Sequence, residues 1–104
     1  MNISRTWTVE VTPEDAGETW PDYDILYYSL ATIRPERIVV IFKIDGSPLA
    51  APKMRGVSIT GRKVLKSGNL GSTEMSDYFY SDSKCIPAWV TRAVDLARRE
   101  IGVF

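Results

Sequence analysis

The residue types of this chain narrow the catalytic chemistry open to it. Its 104 residues include no histidine and a single cysteine, Cys85. Histidine is the usual general base, the usual activator of a serine or cysteine nucleophile and the commonest metal ligand. Ser–His and Cys–His catalysis are therefore excluded, and so are the common structural zinc sites, which need several Cys or His ligands. We predict a protein that is not an enzyme and that holds no cofactor.

Two pairs of acids and the cysteine leave a narrower set of chemistries open. Asp22 and Asp24 could bind magnesium or calcium through carboxylate oxygens alone, although no EF-hand spacing is present. Glu14 and Asp15 could do the same. Acids at these positions are equally explained by helix starts, where they favour the positive end of the helix dipole. Cys85, just before a predicted helix, is either a reactive thiol or an ordinary buried residue. We favour the interpretation without a metal or a reactive thiol.

A run of basic residues in the middle of the chain could bind nucleic acid. Residues 53–66 include five bases and no acid, and the run ends at a glycine-containing turn. The bases are Lys53, Arg55, Arg62, Lys63 and Lys66. Cationic side chains and the backbone amides of such a turn can both approach phosphate. The alternative is a strand with a solvated basic face, whose lysines protect a sheet edge from aggregation.

The segment over residues 20–28 combines aromatic side chains with acids. The aromatic members are Trp20, Tyr23, Tyr27 and Tyr28, and the acids are Asp22 and Asp24. Tyr and Trp are efficient interface anchors because they are large and lose little entropy on ordering. In a helix, Tyr28 would lie about 100° round from Tyr27, so part of the set would be exposed. We predict a partner-binding acidic–aromatic surface, with core packing as the alternative.

Two strands and a short helix are predicted in the N-terminal half. Residues 3–12 alternate between apolar and polar, which is the period of a half-buried strand. Thr12 then opens a helix of about one turn, because threonine can cap free amides and proline suits the next position, and Gly17 stops it. Residues 37–44 contain an uninterrupted β-branched and aromatic run, typical of a central strand covered on both faces.

Residues 21–32 carry two competing periodicities. A helical stripe follows a helix-start signal, and Tyr23, Ile25 and Tyr27 also alternate as in a strand. We predict a helix that is closed by Arg34-Pro35, and the strand remains the alternative.

The C-terminal half is predicted to continue the sheet. Asp45-Gly46 indicates a turn, and a strand resumes near Met54 with a bulge or bend at Gly61. A turn over residues 67–71 leads into a last strand over residues 73–80. Its alternation places Met75 and Phe79 on one side and Glu74, Tyr78 and Tyr80 on the other.

The clearest helix begins near Pro87, where apolar residues repeat every four positions, and Gly102 resembles a closing glycine. The expected fold is α+β: a mixed, mostly antiparallel sheet of about four strands, with this C-terminal amphipathic helix and a second helix packed on it. We expect one domain over residues 1–104 with Trp89, Val40 and Phe42 in one core.

Composition and charge agree with a globular protein. The chain is 44% hydrophobic and 25% charged, and no apolar run reaches the length of a signal peptide or membrane span. The single cysteine fits a reducing compartment, so we predict the cytoplasm. Net charge is zero, yet residues 6–33 hold six acids and no base, whereas residues 34–66 hold eight bases and two acids. Such segments either pair inside the fold or present opposed faces to partners.

Residues 61–71, GRKVLKSGNLG, and residues 87–90, PAWV, resemble a pattern in small uncharacterised proteins of actinobacteria and their bacteriophages. The resemblance covers the C-terminal half and implies an accessory protein of a phage or mobile element that acts on a host component. It supplies no active site. The expected function is a non-enzymatic protein-interaction module that binds a host protein, or itself, through the acidic–aromatic surface. The alternative is a nucleic-acid-binding protein that uses the basic strand.

Overall fold

The structure is a computed structural model that describes residues 3–25, 31–46, 52–84 and 86–101. Within these ranges the chain forms five strands and two helices. In chain order they are β1 Ile3–Val11, α1 Pro13–Ala16, β2 Tyr23–Ile25, β3 Ala31–Gly46, β4 Lys53–Val64, β5 Leu70–Tyr80 and α2 Ala88–Glu100. All described strand pairs are antiparallel. The predicted α+β class and the C-terminal helix are confirmed.

β3 is the spine of the sheet. The strand order is β1-β3-β4-β5, and β2 also pairs with β3. β1 pairs with the second part of β3, from Ile38 to Gly46, and β2 pairs with the first part, from Ala31 to Ile33. The strand predicted over residues 37–44 is therefore 16 residues long, and the turn predicted at Asp45-Gly46 is instead its last two residues.

A bulge explains how β3 accommodates a proline. The register with β4 shifts between Pro35 and Arg37, so the buried positions change from odd-numbered ones such as Ile33 to even-numbered ones such as Ile38. Proline lacks the amide that a central strand needs, and bulges are among the few interior sites that tolerate it. Pro35 thus lies inside a strand, where the sequence suggested the end of a helix.

The helix predicted over residues 21–32 is wrong wherever the structure describes that segment. Tyr23 to Ile25 form β2, and Ala31 begins β3. Tyr23 and Ile25 turn toward the core, while Asp24 stands opposite Thr32 and accepts a hydrogen bond from its hydroxyl. The short-range helical stripe loses to cross-strand pairing, which buries the same apolar residues with a period of two.

α1 is the one-turn helix expected after Thr12. The Thr12 hydroxyl accepts from the Asp15 amide at 3.3 Å, and the Asp15 carboxylate accepts from the Thr12 amide at 3.0 Å, a reciprocal capping box. Gly17 then adopts a φ of +66°, which is open to glycine and ends the helix.

The core lies between α2 and one face of the sheet. α2 buries Trp89, Val90, Ala93, Val94 and Ala97. They share one cluster with Val40 and Phe42, so the expected common core is confirmed. The other face of the sheet is covered by no described element, and Val39 and Ile41 are only half-buried there. The prediction that the central strand is covered on both faces is therefore wrong for this second face, called the open face below.

The turn predicted over residues 67–71 is confirmed up to Asn69, and its last two residues belong to β5, which begins at Leu70. Gly68 has a φ of +86°, and the Leu65 amide donates to the Asn69 carbonyl oxygen at 2.8 Å. Residues 26–30, Cys85 and Gly102 lie outside the described residues, so the Cys85 thiol, the Gly102 cap and the side chains of Tyr27 and Tyr28 stay as predictions.

Candidate interaction surfaces

The structure divides the acidic–aromatic segment between core and surface. Trp20 is 2% exposed, and its ring centroid lies 5.7 Å from that of Trp89. Tyr23 is half-buried, with its centroid 6.2 Å from Trp89 and 6.4 Å from Phe79. These rings fasten the connection between α1 and β2 onto α2. A side chain this buried cannot meet a partner, so the assignment of Trp20 to an exposed surface is corrected to the core.

Two polar atoms of these rings are buried without a partner. The indole nitrogen of Trp20 and the hydroxyl of Tyr23 make no hydrogen bond within the described chain. A buried polar group left unpaired costs about 1–3 kcal/mol. The burial of these rings therefore rests on their apolar area and their ring contacts.

The acids of the same segment are exposed, and their carboxylates accept hydrogen bonds. Arg34 donates to both carboxylate oxygens of Asp22, from Nε at 2.9 Å and from Nη2 at 3.2 Å. This hydrogen bonding lowers the pKa of Asp22; desolvation opposes the shift, and the Arg34 charge adds to the lowering. Asp24 accepts from Thr32, and Asp15 is used by the helix cap.

The carboxylate metal hypothesis gains no support from these positions. Asp22, Asp24 and Asp15 all have structural hydrogen-bond partners. Among the residues that the structure describes, no group of three or more His, Cys, Asp or Glu could hold a metal ion.

The five predicted nucleic-acid contacts are all exposed but are spread along the molecule. Lys53 and Lys63 are ten residues apart on β4, which corresponds to about 33 Å of extended strand. Arg62 donates to Glu36 at 2.6 Å, so its charge is already paired. Lys66 lies in the turn beyond the strand. Lys53 and Arg55 lie together at the start of β4, at the same end of the sheet as two exposed aromatic side chains of β5.

Those groups are two tyrosines on the open face. Tyr78 and Tyr80 are 40% and 67% exposed. Their centroids are 4.9 Å apart and their planes meet at 71°, an edge-to-face pair. Met75 and Phe79, by contrast, pack against the core. This division was predicted from the alternation of β5.

Gly56 gives Tyr78 its position. A Cβ placed on Gly56 would overlap the Tyr78 hydroxyl and ring, and Gly56 stands opposite Tyr80 in the register. The Tyr78 ring therefore lies directly over the bare backbone of β4.

The open face around the tyrosines is apolar and neutral in its middle. Val39 and Ile41 lie half-buried on β3, and Ser58 lies beside them on β4. At one end the face carries the Arg37–Glu74 ion pair, in which Arg37 Nη2 lies 3.0 Å from Glu74 Oε1. At the other end the Ser81 amide donates to the Arg55 carbonyl oxygen at 3.1 Å, which places Arg55 beside the tyrosine pair.

A second concave surface lies between β1 and α2. It is a groove of about 830 Å³ whose lining residues are Thr8, Val9, Glu10, Val11, Asp15, Leu96, Arg99, Glu100 and Ile101. Of these residues, only Asp15 was singled out from the sequence, as a candidate metal ligand. The lining takes four consecutive residues of β1 and helically spaced residues at the end of α2, and only the packing of α2 beside β1 brings the two series together.

Comparison of the chain with protein-family models, with curated proteins and with solved structures gave no significant match. Over the described residues, the helices are too short and too polar for any of them to cross a lipid bilayer.

Proposed function

We propose that this chain is a non-enzymatic protein-interaction module that binds a protein partner through the open face, centred on Tyr78 and Tyr80. The observation that carries the proposal is an exposed, edge-to-face tyrosine pair on a sheet face that no described element covers. Large aromatic rings are the commonest hot spots of protein interfaces. Packing of the core does not explain why the rings of Tyr78 and Tyr80 are exposed.

The composition of the open face supports a protein ligand. Val39 and Ile41 join the aromatic pair in an apolar strip that crosses β4 at two small residues, Ser58 and Gly56, and these leave the strip flat. Interfaces commonly have such a centre with a polar rim. Arg55 and Lys53 stand at one end of the strip as rim cations, so the matching partner carries an apolar patch beside acidic groups.

The identity of the partner follows from the resemblance of the C-terminal half to small proteins of actinobacteria and their phages. On that basis the partner is a host protein in the cytoplasm. The acidic–aromatic segment is not the centre of this surface, because Trp20 is in the core and Asp22 is paired with Arg34.

Alanine variants at the two tyrosines test the proposal. The immobilised protein captures a host partner from a lysate, and the Kd of the purified pair is then measured for Tyr78→Ala and Tyr80→Ala. Each change should weaken binding about thirtyfold if the residue is a hot spot of about 2 kcal/mol. Leu65→Ala removes another exposed side chain, away from the open face, and is the matched control.

Far-UV circular dichroism and thermal unfolding must first show that each variant folds. The proposal fails if both folded tyrosine variants bind the captured partner as tightly as Leu65→Ala does.

A second candidate uses the same face for single-stranded nucleic acid. Tyr80 is exposed beside Arg55, with Lys53 two residues further along β4, and stacking rings next to cations are the usual means of binding single strands. With two available phosphate contacts, the slope of log affinity against log salt should be about −1.4. Fluorescence anisotropy with oligo(dT) and oligo(rU) at about 50 mM salt measures it. Partner capture that persists after nuclease treatment, with no anisotropy change, favours the protein ligand.

A further inference from the structure

β1 is an edge strand without the usual protection. Within the described ranges it pairs with β3 and with no other strand. Its nine described residues keep one continuous register with β3, so no bulge turns the edge away. Residues 6–11 include neither lysine nor proline, which many edge strands use to prevent pairing with another chain.

The groove between β1 and α2 follows this free edge. Its β1 wall consists of four consecutive residues, Thr8 to Val11. Side chains alternate between the two faces of a strand, so a groove that touches every residue in turn runs along the backbone edge and not along one face. Four residues extend about 13 Å, enough for a short stretch of added strand.

The opposite wall offers apolar contacts to such a strand. Leu96 and Ile101 of the α2 region line the groove and are partly buried against the core. Val9 faces them from β1. Every second side chain of a strand laid in the groove would therefore meet apolar groups.

The charges around the groove select the occupant. Three carboxylates line it, those of Glu10, Asp15 and Glu100, against the single guanidinium of Arg99. Glu100 also lies in the last turn of α2, at the negative end of the helix dipole. A cationic ligand is complementary to this set, whereas a second copy of the groove would oppose acid to acid.

We propose that this groove binds an extended segment of a partner protein in which basic and apolar residues alternate, and that the segment adds to the sheet as a strand beside β1. Main-chain hydrogen bonds to the free edge provide affinity, and the alternate side chains provide specificity. This site is separate from the open face.

A labelled peptide tests the proposal directly. The probe is the hexapeptide Ac-Lys-Val-Lys-Val-Lys-Val-NH2, followed by fluorescence anisotropy and by ¹⁵N NMR of the protein. We expect amide shifts confined to residues 8–11 and 96–101, with slower hydrogen exchange along β1. The same peptide with Glu in place of Lys should bind about tenfold more weakly because it meets three carboxylates. A peptide N-methylated at all six residues should not bind, because it cannot donate hydrogen bonds to β1.

A matched pair of protein variants isolates the charge effect. Glu100→Gln removes one exposed carboxylate inside the groove, and Asp82→Asn removes one in the turn after β5. Glu100→Gln should weaken binding of the hexapeptide about two- to fivefold, as expected for one exposed ion pair. Asp82→Asn should leave the affinity unchanged.

Three results would overturn the proposal. The N-methylated peptide could bind as well as the parent peptide, or the NMR shifts could map to Tyr78 and Tyr80. Sedimentation could also show a dimer whose exchange-protected amides include β1, in which case the edge belongs to a second copy. None of these results depends on whether the open face binds its own partner.

Discussion

Two glycines of β4 meet different neighbours, and the difference predicts different costs of substitution. A Cβ at Gly61 would overlap the Arg34 carbonyl oxygen and lie 2.9 Å from the Pro35 Cα, both backbone atoms of β3. A Cβ at Gly56 would meet only the end of the Tyr78 ring, which can rotate away. Gly61→Ala should cost about 2 kcal/mol or more of unfolding free energy, and Gly56→Ala less than about 1 kcal/mol. Urea denaturation measures both, and equal costs would contradict this account of β4.

The Tyr23 hydroxyl predicts a substitution that does not destabilise the protein. It is buried without a hydrogen-bond partner in the described chain, while the ring contacts Trp89 and Phe79. Tyr23→Phe keeps the ring and removes the unpaired group, so the unfolding free energy should stay the same or rise by about 1 kcal/mol. A loss of that size in chemical denaturation would mean that the hydroxyl has a partner.

The Asp22–Arg34 pair predicts a small effect in acid. Arg34 lowers the folded pKa of Asp22 below its ordinary value of 3.8, so the pair contributes stability above the unfolded pKa. That stability is lost as the pH falls through the folded value. The effect is small because the two side chains are 38% and 45% exposed. The pKa of the Asp22 carboxyl, measured by NMR titration, should rise to an ordinary value in the Arg34→Gln variant. A pKa that is the same in the parent and the variant would contradict the pairing.

At the scale of elements, the attachment of α2 depends on its first aromatic residue. Trp89 contacts both Trp20 and Tyr23, so Trp89→Ala should cost about 3–5 kcal/mol. Trp20→Ala should be destabilising as well. The double variant should lose about 0.5–1.5 kcal/mol less than the sum of the two, because they share one ring contact. Additive losses in urea denaturation would show that the rings are not coupled.

Most elements could be predicted from local patterns. The alternation of Trp7, Val9 and Val11 indicated β1, the Thr12 cap indicated α1, and the spacing from Trp89 onward indicated α2. Each of these signals is complete within a few residues. The segment at Tyr23 failed because its local pattern satisfied two periodicities, and the choice was made by β3, which starts eight residues later at Ala31.

The candidate surfaces could be predicted only in part. The placement of Tyr78 and Tyr80 on one side of β5 followed from its alternation. Only the structure shows that this side is exposed, with no described element over Val39 and Ile41. The groove depends on where α2 lies relative to β1. The sequence signal for Trp20, an aromatic residue beside acids, is the same for an interface anchor and for a core ring, and packing on Trp89 decides for the core.

At the scale of the whole molecule, the charges are arranged more evenly than their order along the chain suggests. The acidic residues 6–33 and the basic residues 34–66 meet in the Asp22–Arg34 pair. Glu18 pairs with Arg92 of α2, whose Nε lies 3.0 Å from Glu18 Oε1. Part of the opposed charge is therefore neutralised by pairing within the molecule, while Lys53 and the acids of the groove are exposed to solvent.

The position of α2 in the chain has a consequence for synthesis on the ribosome. The strands that form its apolar bed, including Val40 and Val57, are translated well before the residues of α2 that cover them. At about 5–20 residues per second, the interval between Val64 and Glu100 lasts roughly two to seven seconds. Hydrophobic collapse of a chain this size takes about 10–100 μs. During that interval the apolar side of the nascent strands is not yet covered by α2. The nascent chain stays soluble in the cell only if chaperones bind it or if its collisions with other chains are infrequent.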